Sequence, residues 1–195
     1  MAFLEKFSAE ERALLVALPY RAGLWISQAD ATGDPAADEK ERKALEDIIG
    51  SQVKGMFPSA FVHEVVADLW DKKGAWNGME SHLANVVPEC REAAKLISQR
   101  LARRDLDAYR ATVMHIATEV AKAFREYGHN SLMERLTLNI KLWKSRIGCA
   151  MRNEDYDPIA IVNISPVEDK ALAILARALS EGAESAADTP AMPKT

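Results

Sequence analysis

A chain of 195 residues, 48% hydrophobic and 28% charged, can bury roughly 70% of its unfolded surface and needs no disulfide or metal to hold its fold. Its net charge of −4 disfavours general nucleic-acid binding, which depends on clustered Lys and Arg. No apolar run reaches the roughly 18 residues of a membrane span, and the N-terminal stretch turns acidic by Glu10, unlike a secretory signal. A soluble cytoplasmic protein is expected.

Helical periodicity runs from end to end. Ser8 and Glu11 form a capping-box pattern that opens a first helix with an apolar stripe of Leu14, Leu18, Ala22 and Trp25, widened by Leu15 and Ile26. Pro19 falls inside it and removes one backbone donor, which predicts a kink. The helix is expected to stop near Ala29-Asp30, before Gly33 and Pro35. A second helix from about Asp38 turns Leu45, Ile48, Ile49 and Val53 inward. After Gly55 and Pro58, Ser59 caps a third helix carrying Val62, Val65, Val66, Leu69 and Trp70.

Gly74 and Gly78 mark a break, and a short helix through Leu83 and Val86 leads to Pro88. From there Cys90, Ala94, Ile97 and Leu101 continue a stripe. The most regular pattern spans about 106–127, where Leu106, Tyr109, Val113, Ile116, Val120, Ala123 and Tyr127 share one face. That helix is predicted to be the centre of the core. Another carries Leu132, Leu136, Ile140, Trp143 and Ile147, and the stretch 148–164 is irregular. Ser165-Pro166, with Glu168 completing a capping box, begins a last helix with Ile174, Leu175, Ala178 and Leu179 inward.

These elements predict an all-α fold: a compact bundle of about seven helices forming a single domain over 1–181, with a helical insertion at about 125–163. Residues 182–195, poor in bulky apolar side chains, read as a disordered tail. Cys90 and Cys149 form no CxxC pair and read as buried apolar residues; their separation in sequence leaves a disulfide open. The basic stretch Arg100, Arg103 and Arg104 sits near a helix end, where positive charge suits the dipole.

Glu41-Arg42-Lys43-Ala44-Leu45 and Glu168-Asp169-Lys170-Ala171-Leu172 share the pattern E-x-K-A-L at two helix starts, a hint of two related halves. Together with Ala29-Asp30-Ala31-Thr32-Gly33-Asp34 followed by Glu41, this resembles the TerB-like tellurite-resistance family, which repeats a long apolar helix, an Ala-Asp-x-x-Gly type turn and an acidic helix start. The second copy, Ile164 to Glu168, departs from the pattern by lacking the turn, and about 35 residues intervene. The resemblance implies a bundle with pseudo-symmetric halves and a role in stress or metalloid response, or in partner binding. It implies no catalytic reaction.

Counted from Asp30, side-chain oxygens fall at positions 1 (Asp30), 3 (Thr32), 5 (Asp34), 9 (Asp38) and 12 (Glu41), the positions from which an EF-hand loop ligates calcium. The four carboxylates Asp30, Asp34, Asp38 and Glu41 are therefore a candidate divalent-cation site. Pro35 at position 6 and Ala37 at position 8 depart from an EF-hand. The alternative is a turn followed by an acidic helix start.

Other motifs are incomplete. His63-Glu64 lacks the second His of a zincin, and Glu126-x-x-His129 is half of a di-iron motif. His115 and Glu119, one turn apart, are expected to bond on a partly buried face; a proton-transfer role is the other option. His82 is unaccompanied. Trp25, Trp70 and Trp143 read as core, whereas Trp76, between Gly74 and Gly78, is a candidate groove-lining aromatic. No GxSxG, P-loop or GxGxxG occurs.

The leading expectation is a non-enzymatic, stress-response module of the TerB-like type that works through protein partners or a bound cation such as calcium. The alternatives are a helical enzyme or small-molecule binder with a pocket near His115, Glu119 or Trp76, and a homodimer formed through the 106–127 helix.

Overall fold

The structure is a computed structural model that describes residues 3–29, 35–53, 59–124 and 166–187, without the side chains of 35–41, 80–82, 123–124 and 185–187. Among the described residues it is an all-α bundle without strands. A 3-10 turn at Phe3–Lys6 leads into α1 (Ala9–Gln28), α2 (Pro35–Val53) and α3 (Ala60–Asp71). A 3-10 stretch, Lys73–Asn85, then connects to α4 (Val86–Arg100) and α5 (Arg103–Phe124); α6 is Pro166–Ala187. No helix among the described residues is long and apolar enough to cross a membrane. The insertion predicted at 125–163, with Cys149, Trp143 and the stretch 148–164, lies outside the described residues.

The core is shared by α1 and α5, each of which packs against every other α-helix described. On α5 the predicted face is inward: Leu106, Tyr109, Val113, Ile116 and Val120 are all buried. On α1 the burial is wider than a stripe. Every residue from Leu15 to Leu24 is buried, while Leu14 and Trp25 are half-buried. A helix buried all round over its central turns shows little amphipathic contrast there, which is why its place at the centre was not apparent from periodicity.

The capping box opens α1 as expected: the Glu11 amide donates to Ser8 Oγ at 3.2 Å, and the Ser8 amide to Glu11 Oε2 at 2.7 Å. Pro19 stays within one continuous helix. Lacking an N–H, it leaves the carbonyl of Leu15, four residues earlier, without its helical donor. The Tyr109 hydroxyl fills that position, donating to the Leu15 carbonyl at 2.8 Å in the buried core. Burial raises the Tyr109 phenol well above its ordinary value, so it stays a donor.

The chain ahead of α1 is folded under the bundle. Leu4 and Phe7 are buried, the Leu4 amide donates to Glu64 at 3.1 Å, and Arg12 Nε donates to the Leu4 carbonyl at 3.2 Å. Arg100, from the basic stretch, donates to Glu11 at 2.6 Å and to the Lys6 carbonyl at 3.1 Å, and lies over the Phe7 ring. The Arg100 bond and the Ser8 cap pull the Glu11 carboxyl from 4.5 to about 2. Ser59 caps α3, accepting from Val62, and its hydroxyl donates to the buried Asp105 at 2.8 Å.

Two expectations about α6 change. Ile174 is 47% exposed among the described residues, while Ala171, Leu172, Leu175, Ala178 and Leu179 carry the inward face. The helix also runs past Gly182 to Ala187, into the stretch expected to be a tail. Gly182 is buried at the close approach of α6 to α4, where a Cβ would stand 2.1 Å from the Arg91 carbonyl oxygen. Glycine there permits backbone contact and does not end the helix. Residues 188–195 lie outside the described residues.

Two outcomes follow from this packing. Tyr109→Phe strands the Leu15 carbonyl and lowers stability by about 1–3 kcal/mol; adding Pro19→Ala restores a helical donor and returns part of the loss, as a urea-unfolding double-mutant cycle reads directly. Gly182→Ala forces α4 and α6 apart and costs about 1–3 kcal/mol by overpacking, despite alanine's better helix propensity. An unchanged urea midpoint for Gly182→Ala contradicts the close approach.

Candidate functional site

Arg21 stands in the middle of the apolar run of α1, and Glu89 in the first turn of α4 just after Pro88. Packing of α1 on α4 brings them together: Arg21 Nη2 lies 2.6 Å from Glu89 Oε2, with side chains only 8% and 16% exposed. Arg21 Nε is buried and has no hydrogen-bond partner among the described residues. A buried charge carries a desolvation cost that its partner offsets only when geometry and additional hydrogen bonds are good.

The pair forms the foot of an open groove of about 430 Å³. One wall is a stripe of α1, with Ala13, Leu14 and Ala17 between Glu10 and Arg21; the other is formed by Lys72 and by Gly78 and Met79 of the 3-10 stretch. The wall is shallow at Glu10 and Ala13, which are exposed, and deepens to Ala17 and Arg21, which are buried. A second groove between α5 and α6, about 330 Å³, has its arginine already engaged: Arg110 donates to Ser180 at 2.6 Å.

The 3-10 stretch is held in place by Trp76. Its indole N–H donates to the Leu69 carbonyl at 3.0 Å, and its ring lies 4.7 Å from Tyr20 and 6.2 Å, edge-on, from Trp70. Trp76 is therefore core and not a groove-lining aromatic, since an indole that finds both a carbonyl and aromatic neighbours gains more from burial. Its neighbours Gly78 and Met79 line the groove instead.

The other expected residues are dispersed. Asp30 and Asp34 lie outside the described residues, as do the side chains of Asp38 and Glu41; α2 begins at Pro35, so the last two are helical residues. His115 is exposed, not partly buried, and Glu119 pairs with Lys122 at 2.9 Å instead. Glu64, beside the exposed His63, serves the N-terminal turn. Glu126 and His129 and the side chain of His82 lie outside the described residues. Cys90 is buried as expected, and burial beside Glu89 pushes its thiol up to about 12, so it is protonated at neutral pH and is no nucleophile.

Arg21 and Glu89 belong to no recognisable motif, although the sequence carries a signal: an arginine amid apolar residues of a helix needs an acid from another element. No protein-family model, curated protein or solved structure matches the chain.

Removing one partner isolates a charge, so Arg21→Ala destabilises by about 3–5 kcal/mol, whereas the paired Arg21→Met/Glu89→Leu replacement stays near wild-type stability or exceeds it. Thermal unfolding of both variants measures this. A double variant as unstable as the single one shows that the pair is a stabilising element after all.

Proposed function

We propose that this chain is a non-catalytic helical binding module whose working surface is the groove along α1. The observation that carries the reading is the buried Arg21–Glu89 pair at the foot of a groove walled mainly by apolar side chains. Such a pair contributes little net stability compared with apolar residues of similar volume, so its value lies in what it recognises. Small-molecule sites enclose most of their ligand's surface; a groove open along a helix suits a partner's surface better. The resemblance to the TerB-like family supports the same kind of role, in stress response, and the all-α fold is of the class that the resemblance implies.

Titration of the 15N-labelled chain with short amphipathic peptides and apolar fragments tests the reading. The amides of Leu14, Ala17, Gly78 and Met79 are expected to shift together and saturably. Shifts scattered over the surface, or confined to another face, remove the groove as the working site.

A further inference from the structure

The groove has features that define its occupant more closely, in an argument that rests on the reading above. Its α1 wall follows Glu10, Ala13, Leu14, Ala17 and Arg21, residues spaced by three and four on one helix face. From Glu10 to Arg21 that face is about 16 Å long, or roughly three helical turns. Ala13 and Ala17 are small, and opposite them a Cβ built on Gly78 meets nothing within 4 Å. The space left open is of the size that large side chains of a partner helix occupy when they anchor at i, i+4 and i+7.

Charge narrows the choice further. The ionisable groups of the groove are two acids, Glu10 and Glu89, and two bases, Arg21 and Lys72, which sum to zero. At the deep end a ligand carboxylate meets Glu89, and a ligand ammonium meets Arg21; either brings like charges together where water is scarce. A carboxamide brings no charge. Its oxygen accepts from the guanidinium of Arg21, whose Nη2 lies 2.6 Å from Glu89. Its NH2 donates to the Glu89 carboxylate.

We infer that the groove binds an amphipathic helix of a partner protein, close to neutral in charge, with apolar anchors over Ala13 and Ala17 and an Asn or Gln side chain entering the Arg21–Glu89 end. Phage-displayed helical peptides of about 12 residues, long enough for three turns, test this when selected on the intact chain. Selected peptides are expected to carry apolar anchors at helical spacing with an Asn or Gln at one end, and to lose at least about tenfold in affinity against Gly78→Trp, which fills the open wall.

Replacing that Asn or Gln by Leu costs about tenfold on the wild-type chain and nothing on the Arg21→Met/Glu89→Leu variant. Peptides sensitive to Gly78→Trp but indifferent to amide replacement overturn the carboxamide inference and leave the groove as a binding surface. Peptides that bind Gly78→Trp as well as wild type, or a selection that enriches none, overturn both. Circular dichroism of Gly78→Trp and a second blocking variant at the exposed Ala13, Ala13→Trp, keep a folding defect separate from a blocked groove.

Discussion

A proline in the buried middle of α1 sets the terms for the rest of this bundle. Pro19 cannot donate to the Leu15 carbonyl, and an unsatisfied carbonyl in a dry core is costly. The Tyr109 hydroxyl meets that demand from α5. Because a hydrogen bond has a defined length and direction, it fixes the position of α5 against α1 along both axes, which apolar packing alone specifies less sharply. The aromatic neighbours continue from there: Tyr109 lies 5.9 Å from Phe61, and Phe61 is flanked by Phe3 and Phe7 of the N-terminal turn. One missing N–H is thus linked to the placement of α5, α3 and the start of the chain.

The next half-turn of α1 is organised by charge. Arg21 lies two residues beyond Pro19 and requires an acid, which the first turn of α4 supplies. Tyr20, between them, turns to the Trp76 ring and so holds the 3-10 stretch against α1. Pro19, Tyr20 and Arg21 therefore serve three different partners on three different elements. The groove exists because these contacts hold the 3-10 stretch near α1 without closing over Ala13 and Gly78. Its apolar walls and its buried charge have the same structural origin, and that coincidence supports a binding role for the site.

Much of the local structure was legible in the sequence. The Ser8–Glu11 box, the Ser59 cap and the inward face of α5 follow from spacing and side-chain chemistry that act within a few residues. Burial of Ile174 was expected and is not seen among the described residues, because a stripe on an isolated helix does not reveal how wide a neighbour's contact is. The stretch from Gly182, poor in bulky apolar residues, reads as a tail, yet the last helix runs through Gly182 to Ala187. The use of Gly182 as a point of backbone approach depends on where α4 lies, and local sequence does not contain that information. For Trp76 the flanking glycines suggested exposure, yet the ring found its carbonyl and aromatic partners on α3 and α1.

Composition and periodicity by themselves determined the helical class, most helix boundaries and the caps, because these depend on interactions between residues one turn apart. Tertiary structure alone decided that α1 shares the centre with α5, that Tyr109 answers Pro19, and that Arg21 and Glu89 meet beside an open groove. Each of those facts is a pairing across separations of tens of residues, set by how helices pack and not by what any one segment prefers. The acidic stretch from Asp30 to Glu41 stands out in the sequence because its pattern is contiguous; the groove does not, because its lining comes from three separate segments.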